Sequence, residues 1–166
     1  QGLNNALFFK GLLYLLGPGE IQEKVFARLF HNISVSRGIG IYDNAAYWYL
    51  LAAEQGHADA QTGLGLMYFA GQGVAKNNNT AVKWYKLAFE QGHASAQTNL
   101  GVMYTYGRGV PQNEKTAVKW YKLAAKQGNA NAQYNLGVMY EYGTGVPRDN
   151  KTAVKWYRLA AKQGYA

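Results

Sequence analysis

Small and apolar residues recur along most of this chain at spacings of three and four, the signature of helices buried on one face. Between residues 94 and 109, Ala94, Ala96, Leu100, Gly101, Met103 and Tyr104 keep that spacing until Gly107 and Gly109 stop the run in a turn. This predicts a first helix, A. After Pro111 or Pro147, Asn113 or Asp149 stands where an N-cap is needed, and Ala117, Trp120, Tyr121 and Ala124 recur until Gly128 ends a second helix, B. Small residues such as Ala96 and Gly101 set against Trp120 and Tyr121 allow the two helices to pack closely as an antiparallel pair. One pair cannot bury both apolar faces, so neighbouring pairs must stack. The expected fold class is all-α, a solenoid of antiparallel helix pairs.

The pattern repeats every 36 residues without gaps over 58–93, 94–129 and 130–165, and the last two units are identical at 27 of 36 positions. One period upstream of Ala81, Trp84, Tyr85, Ala88, Gln91 and Gly92 stand Ala45, Trp48, Tyr49, Ala52, Gln55 and Gly56. Residues 22–57 therefore read as a degenerate repeat whose second half is intact. Residues 1–21 read as an apolar packing or capping helix, continuous with the same domain. Set 72 residues before Ala81, Trp84, Tyr85 and Ala88 are Phe9, Leu12, Leu13 and Leu16, as a diverged helix B requires. The apolar run 6–16 is interrupted by Lys10 and is too short to cross a bilayer, which takes roughly 20 residues. A signal-peptide or membrane-surface role for it stays open, although no A-x-A-like cleavage site follows. The chain starts without methionine and stops at Ala166, the first position of a further unit. The expectation is that more repeats follow, or that this end docks on something, another copy included.

Composition changes this picture little. At 48% hydrophobic and 16% charged, the chain is too apolar for a disordered tail, and the absence of cysteine removes disulfides and thiolate zinc sites. The net charge of +8 is more informative, because charges cancel over residues 1–57 and the whole excess lies in 58–166. It is concentrated on helix B, where Lys83, Lys86, Lys119, Lys122, Lys155 and Arg158 recur at fixed positions and would form a basic stripe. Read functionally, this stripe would bind nucleic acid or anionic lipid; read structurally, it is a solvated face that keeps an apolar array soluble. The predominance of lysine and the lack of interleaved aromatics favour the solvated face.

The residues offer no catalytic constellation. His57 and His93 share one repeat position, on the order of 10 Å apart if repeats stack, too far to share a metal. They are expected at the start of helix A, and His31 stands alone. G-Q-G-V, G-R-G-V and G-T-G-V lack the lysine and hydroxyl of a phosphate loop and read as interhelix turns. The nine carboxylates are scattered, leaving acid-base chemistry without candidates. Trp48, Trp84, Trp120 and Trp156 keep one frame, as do Met67, Met103 and Met139, and both sets read as core. No enzyme, cofactor or metal is expected.

The motif A-x-A-Q-x-N-L-G-x-M-Y-x-Y-G-x-G-V-P followed by T-A-V-K-W-Y-x-L-A-A-K-Q-G resembles the Sel1-like repeat family, relatives of the tetratricopeptide repeats. The resemblance covers 58–165 in full and 44–57 in part. It implies a right-handed superhelix whose A helices line a concave face, used to bind other proteins as a scaffold or adaptor. It also implies a lean towards the bacterial envelope, the periplasm or secretion.

Positions that vary between near-identical units are the candidates for recognition. On helix A they include Thr62, Leu66 and Phe69, then Thr98, Asn99, Val102 and Tyr106, then Tyr134, Asn135, Val138 and Tyr142. The spacing of 62, 66 and 69 predicts one stripe. By resemblance to tetratricopeptide repeats, the residue before Leu-Gly faces the groove and, as asparagine, grips an extended main chain, which maps to Asn99 and Asn135. Gly63 and Ala27 depart from this. The expected function is a non-enzymatic interaction module taking a peptide or protein surface in the A-helix groove. The alternative is an anionic-ligand binder using the basic stripe. A protein partner is expected, and nucleic acid and a membrane are not, although the apolar helix 6–16 leaves a membrane open.

Overall fold

The computed structural model describes residues 41–165, with side chains from Ala45 onward. The 1–21 segment, residues 22–40 of the degenerate repeat and His31 lie outside the described residues. Within them the chain forms seven helices: α1 (Ile41–Glu54), α2 (Ala58–Ala70), α3 (Asn78–Glu90), α4 (Ala94–Tyr106), α5 (Glu114–Lys126), α6 (Ala130–Tyr142) and α7 (Asn150–Ala161). The A type is represented by α2, α4 and α6, and the B type by α1, α3, α5 and α7.

The helix boundaries follow from local chemistry. Each A helix ends on a glycine in the left-handed region, Gly71, Gly107 or Gly143, whose N–H donates to the carbonyl of Met67, Met103 or Met139. Side chains are strained in that conformation, so glycine sets the stop. The B helices α3, α5 and α7 begin on side-chain caps: Asn77, Asn113 and Asp149 accept from the backbone N–H of Thr80, Thr116 and Thr152. The same cap residues donate their own N–H to the carbonyls of Tyr68, Tyr104 and Tyr140, which fixes the path of each A-to-B turn. As the sequence predicts, His57 and His93 sit at the start of α2 and α4, and neither side chain caps the helix. Asn129, at the same position before α6, does cap, accepting from the N–H of Ala132.

The described chain divides into two compact units between Trp84 and Tyr85. In the first, Ala45, Ala46, Tyr49, Ala52 and Ala53 of α1 pack on Ala60, Leu64 and Met67 of α2. In the second, α4 pairs with α5 and α6 with α7, while α5 also packs on α6. Ala117, Val118, Tyr121, Ala124 and Ala125 of α5 form one core there with Ala132, Leu136 and Met139 of α6. The methionines are core, as expected. The tryptophans lie half-buried at the margins instead, with Trp120 edge-on to Phe89 at 4.6 Å.

The two helix types carry charge differently. Across α2, α4 and α6 the charged residues are Asp59 and Glu141 alone. Of the B helices, α3, α5 and α7 are amphipathic, with most of their lysines outward. An A helix with small and apolar residues on most of its circumference is stable only when enclosed on several sides, which is its place in a stack of pairs.

Candidate functional site

The A helices are not wholly enclosed. On α4, Ser95 and Tyr106 are exposed and Asn99 and Val102 half-buried; on α6, Asn131 and Tyr142 are exposed and Asn135 and Val138 half-buried. Spacings of four, three and four put each set on one face of its helix. Tyr106 and Tyr142 project furthest, at 63% and 71% exposure. The guanidinium of Arg108 lies over the Tyr106 ring, 5.1 Å from its centre. The amides of Asn99 and Asn135 make no hydrogen bond to other described residues. In the first unit, Asp59, Gly63, Leu66 and Ala70 occupy the same frame of α2, with Leu66 exposed.

This outward stripe is shifted by one residue from the 62, 66 and 69 spacing read in the sequence. Thr62 and Thr98 are buried, and their hydroxyls donate to the carbonyls of Ala58 and Ala94 at 2.9 and 3.0 Å. One residue is about 100° of helical turn, enough to move a side chain from surface to core. Phe69 is half-buried, and its counterparts carry structural bonds: Thr105 pairs with the Tyr121 hydroxyl at 3.2 Å, and Glu141 accepts from the Tyr157 hydroxyl at 2.6 Å. Variation at this position reflects a choice of partner for a tyrosine rather than freedom from packing. Burial pushes the Tyr121 hydroxyl up to about 12, against the lowering effect of its bond to Thr105. Tyr157 is raised by burial and then by the neighbouring Glu141. Tyr134, in the frame of Thr62 and Thr98, is exposed instead and leans on Tyr157 and Tyr165, with ring centres 5.5 and 5.0 Å away.

Of the residues named from sequence, Leu66, Asn99, Val102, Tyr106, Asn135, Val138 and Tyr142 lie on this outward stripe. The lysine stripe is exposed at Lys83, Lys86, Lys119, Lys155 and Arg158. Lys122 is drawn inward, its ammonium 5.7 Å from the centre of the Tyr140 ring. The glycine-rich turns have their leading N–H groups committed to the methionine carbonyls, so they are turns rather than anion cradles. Among the described residues, no group of three His, Asp or Glu is placed to hold a metal, and no helix is long and apolar enough to cross a membrane.

Sequence reasoning missed the glutamines. Gln97 and Gln133 are buried in α4 and α6, and each accepts through Oε1 from the glutamine 30 residues on, Gln127 at 2.9 Å and Gln163 at 2.8 Å. Gln133 also donates to the carbonyl of Ala125, and Gln61 to that of Ala53, in each case at the end of the preceding B helix. The signal was present in the A-x-A-Q and K-Q-G motifs, as polar residues kept in an otherwise apolar frame.

Compared with known protein families, the chain matches the Sel1 repeat over residues 42–57, 58–93, 94–129 and 130–165. The chain belongs to the Sel1 repeat family. Its fold is accordingly the all-α solenoid of paired helices, in the register read from the sequence. Among solved structures it is similar to a protective antigen of uropathogenic Escherichia coli strains that displays an SLR, or Sel1-like repeat, fold. That protein is 37% identical over 99% of this chain and 31% of its own, with a TM-score of 0.72. A Sel1 repeat protein from Oxalobacter formigenes is 36% identical over 97% of this chain and 59% of its own, with a TM-score of 0.68. Helicobacter pylori cysteine rich protein B, 20% identical over 74% of this chain and 90% of its own, shares the fold at a TM-score of 0.58. The chain thus spans about a third of the Escherichia coli protein and under two thirds of the Oxalobacter one. No curated protein matches the sequence.

Proposed function

We propose that this Sel1 repeat chain is a non-enzymatic interaction module that takes an extended peptide segment along the outward stripe of α4 and α6. On this reading it holds and positions a partner rather than transforming it. The observation that carries the reading is the pair of half-buried amides, Asn99 and Asn135, at equivalent positions and with no hydrogen bond inside the described residues. An amide both donates and accepts, so it can match the N–H and C=O of one peptide unit, and two of them a repeat apart would grip a main chain at two points. Val102 and Val138 beside them, and Tyr106 and Tyr142 beyond, supply apolar area at low entropic cost. The stripe residues of α4 and α6 carry no charge, which suits a partner segment recognised by backbone and shape. Gly63 gives the first unit no such amide, so the clamp belongs to the C-terminal repeats.

The test is a peptide-display selection against the full chain, followed by titration of a selected peptide onto wild type and onto the Asn99→Ala, Asn135→Ala variant. Affinity falling about tenfold or more, from the loss of several hydrogen bonds at roughly 1 kcal/mol each, is expected with unchanged helicity and Tm. Equal affinity in the double variant removes the stripe as the binding site. A selected ligand that is acidic, and released by salt from both forms alike, would move recognition to the lysine face.

A further inference from the structure

Charge in the second unit is sorted by helix type. Residues 85–166 hold eleven Lys and Arg against four Asp and Glu. Nine of the eleven cations lie on α3, α5 and α7 or on the C-cap that follows α7, whereas α4 and α6 have none. On α5, Lys115, Lys119, Leu123 and Lys126 follow at intervals of four, four and three, and Lys151, Lys155, Leu159 and Lys162 repeat the set on α7. All eight are exposed, so each helix turns the same face to solvent, a row of ammonium groups with a leucine set among them.

The leucine is what a merely solvated face does not explain. Leu123 and Leu159 are each 42% exposed, and Leu87, in the same frame of α3, is 43% exposed. Lysine, glutamine or glutamate would serve helix formation as well there. An apolar side chain kept at one exposed frame of three helices, a turn away from lysines, gives each helix one residue able to enter a head-group boundary while the lysines stay at its surface. Lysines of such a face are drawn to acidic head groups, and the leucine enters the boundary beneath them. Nucleic acid fits less well: eight of the nine cations are lysines, and the indoles of Trp120 and Trp156 are half-buried at the core margins rather than displayed for stacking.

We infer that the lysine and leucine face of α5 and α7 docks on the surface of an anionic phospholipid bilayer. The contact lies on other helices than the peptide stripe and rests on no part of that reading.

The test is co-sedimentation of the full chain with vesicles of phosphatidylcholine alone and of phosphatidylcholine with about 30% phosphatidylserine. A single-stranded DNA oligonucleotide serves as a soluble polyanion. Two double variants at exposed positions, checked by circular dichroism, separate the terms: Lys119→Gln with Lys155→Gln, and Leu123→Gln with Leu159→Gln. Binding to the acidic vesicles and not to the neutral ones is expected, reduced about tenfold or more by the lysine variant and by raised salt. The leucine variant should lose several-fold on vesicles while its affinity for DNA is unchanged. Absence of wild-type binding to acidic vesicles at low salt overturns the inference. So does a leucine variant that binds vesicles as well as wild type, or DNA binding tighter than vesicle binding.

Discussion

Gly101 of α4 lies directly against the ring of Tyr121 on α5. A Cβ at residue 101 would fall less than 3 Å from Cε1, Cδ1 and Cζ of that ring, and Gly137 stands in the same relation to Tyr157 one repeat later. The glycine is thus a seat for the tyrosine that fills the interface of the pair. Gly101→Ala sets two effects against each other: alanine favours the helix by about 1 kcal/mol, and overpacking a filled interface costs roughly 1–3 kcal/mol. Because the ring is buried and hydrogen-bonded to Thr105, it has little room to retreat, and net destabilisation is expected as a lower urea midpoint. Combining Gly101→Ala with Tyr121→Leu should recover part of the loss. A Gly101→Ala protein as stable as wild type would show that the two helices slide apart freely.

Thr98 offers a test of where the A-helix surface lies. Thr98→Val keeps the shape and removes the hydroxyl bond to the Ala94 carbonyl, so a loss of about 0.5–1.5 kcal/mol in thermal or urea unfolding is expected, with peptide affinity unchanged. A variant of full stability that loses peptide binding would return Thr98 to the recognition surface.

What was legible in the sequence was whatever the repeat states more than once. The helix pairs, the Asn113 and Asp149 caps, the glycine stops and the methionine core all recur in register, and each rests on local chemistry that a single residue type reports. The outward stripe of the A helices was legible only in part. Variation between units picks out Asn99, Val102 and Tyr106, which face outward, together with Thr62 and Thr98, which do not, because a buried threonine and an exposed tyrosine can occupy one frame in different repeats. Thr105 and Glu141 vary for another reason, since a tyrosine hydroxyl is satisfied equally by a hydroxyl or a carboxylate. The glutamine contacts escaped because their meaning lies between helices 30 residues apart, where neither periodicity nor local propensity reports.

Those glutamines carry the third prediction. Gln133 is buried, accepts from Gln163 and donates to the Ala125 carbonyl, so it ties α6 both to its own B helix and to the one before. Gln133→Ala leaves a cavity and loses both bonds of the amide, while the Ala125 carbonyl keeps its bond from the N–H of Gly128, at a cost of about 1–3 kcal/mol. Gln163→Ala takes the donor from the buried Gln133 Oε1 but opens no cavity and leaves the bond to Ala125 in place, so it should cost less than Gln133→Ala. Hydrogen exchange should show the larger opening at α6 in the first variant. Equal destabilisation by the two would mean that the link within a repeat, and not the link between repeats, holds the helix.

Asp149 gives the array an acid-sensitive point. Its carboxylate accepts from the hydroxyl and N–H of Thr152 and from the N–H of Lys151, and these bonds hold it below the usual carboxylate range. A carboxyl lowered in the folded state stabilises the fold above its unfolded value, about 3.9, and the contribution is lost as pH falls through the lower folded value. Asp149→Asn keeps a side-chain cap but cannot titrate. Wild type should therefore melt at or above the variant from neutral pH down to about pH 5, and its advantage should shrink below about pH 4. Because the group is fully solvent-exposed, the readout is the difference in Tm between the two proteins across pH rather than the absolute acid midpoint. Parallel Tm curves over that range would show that the cap works equally well with the carboxyl protonated.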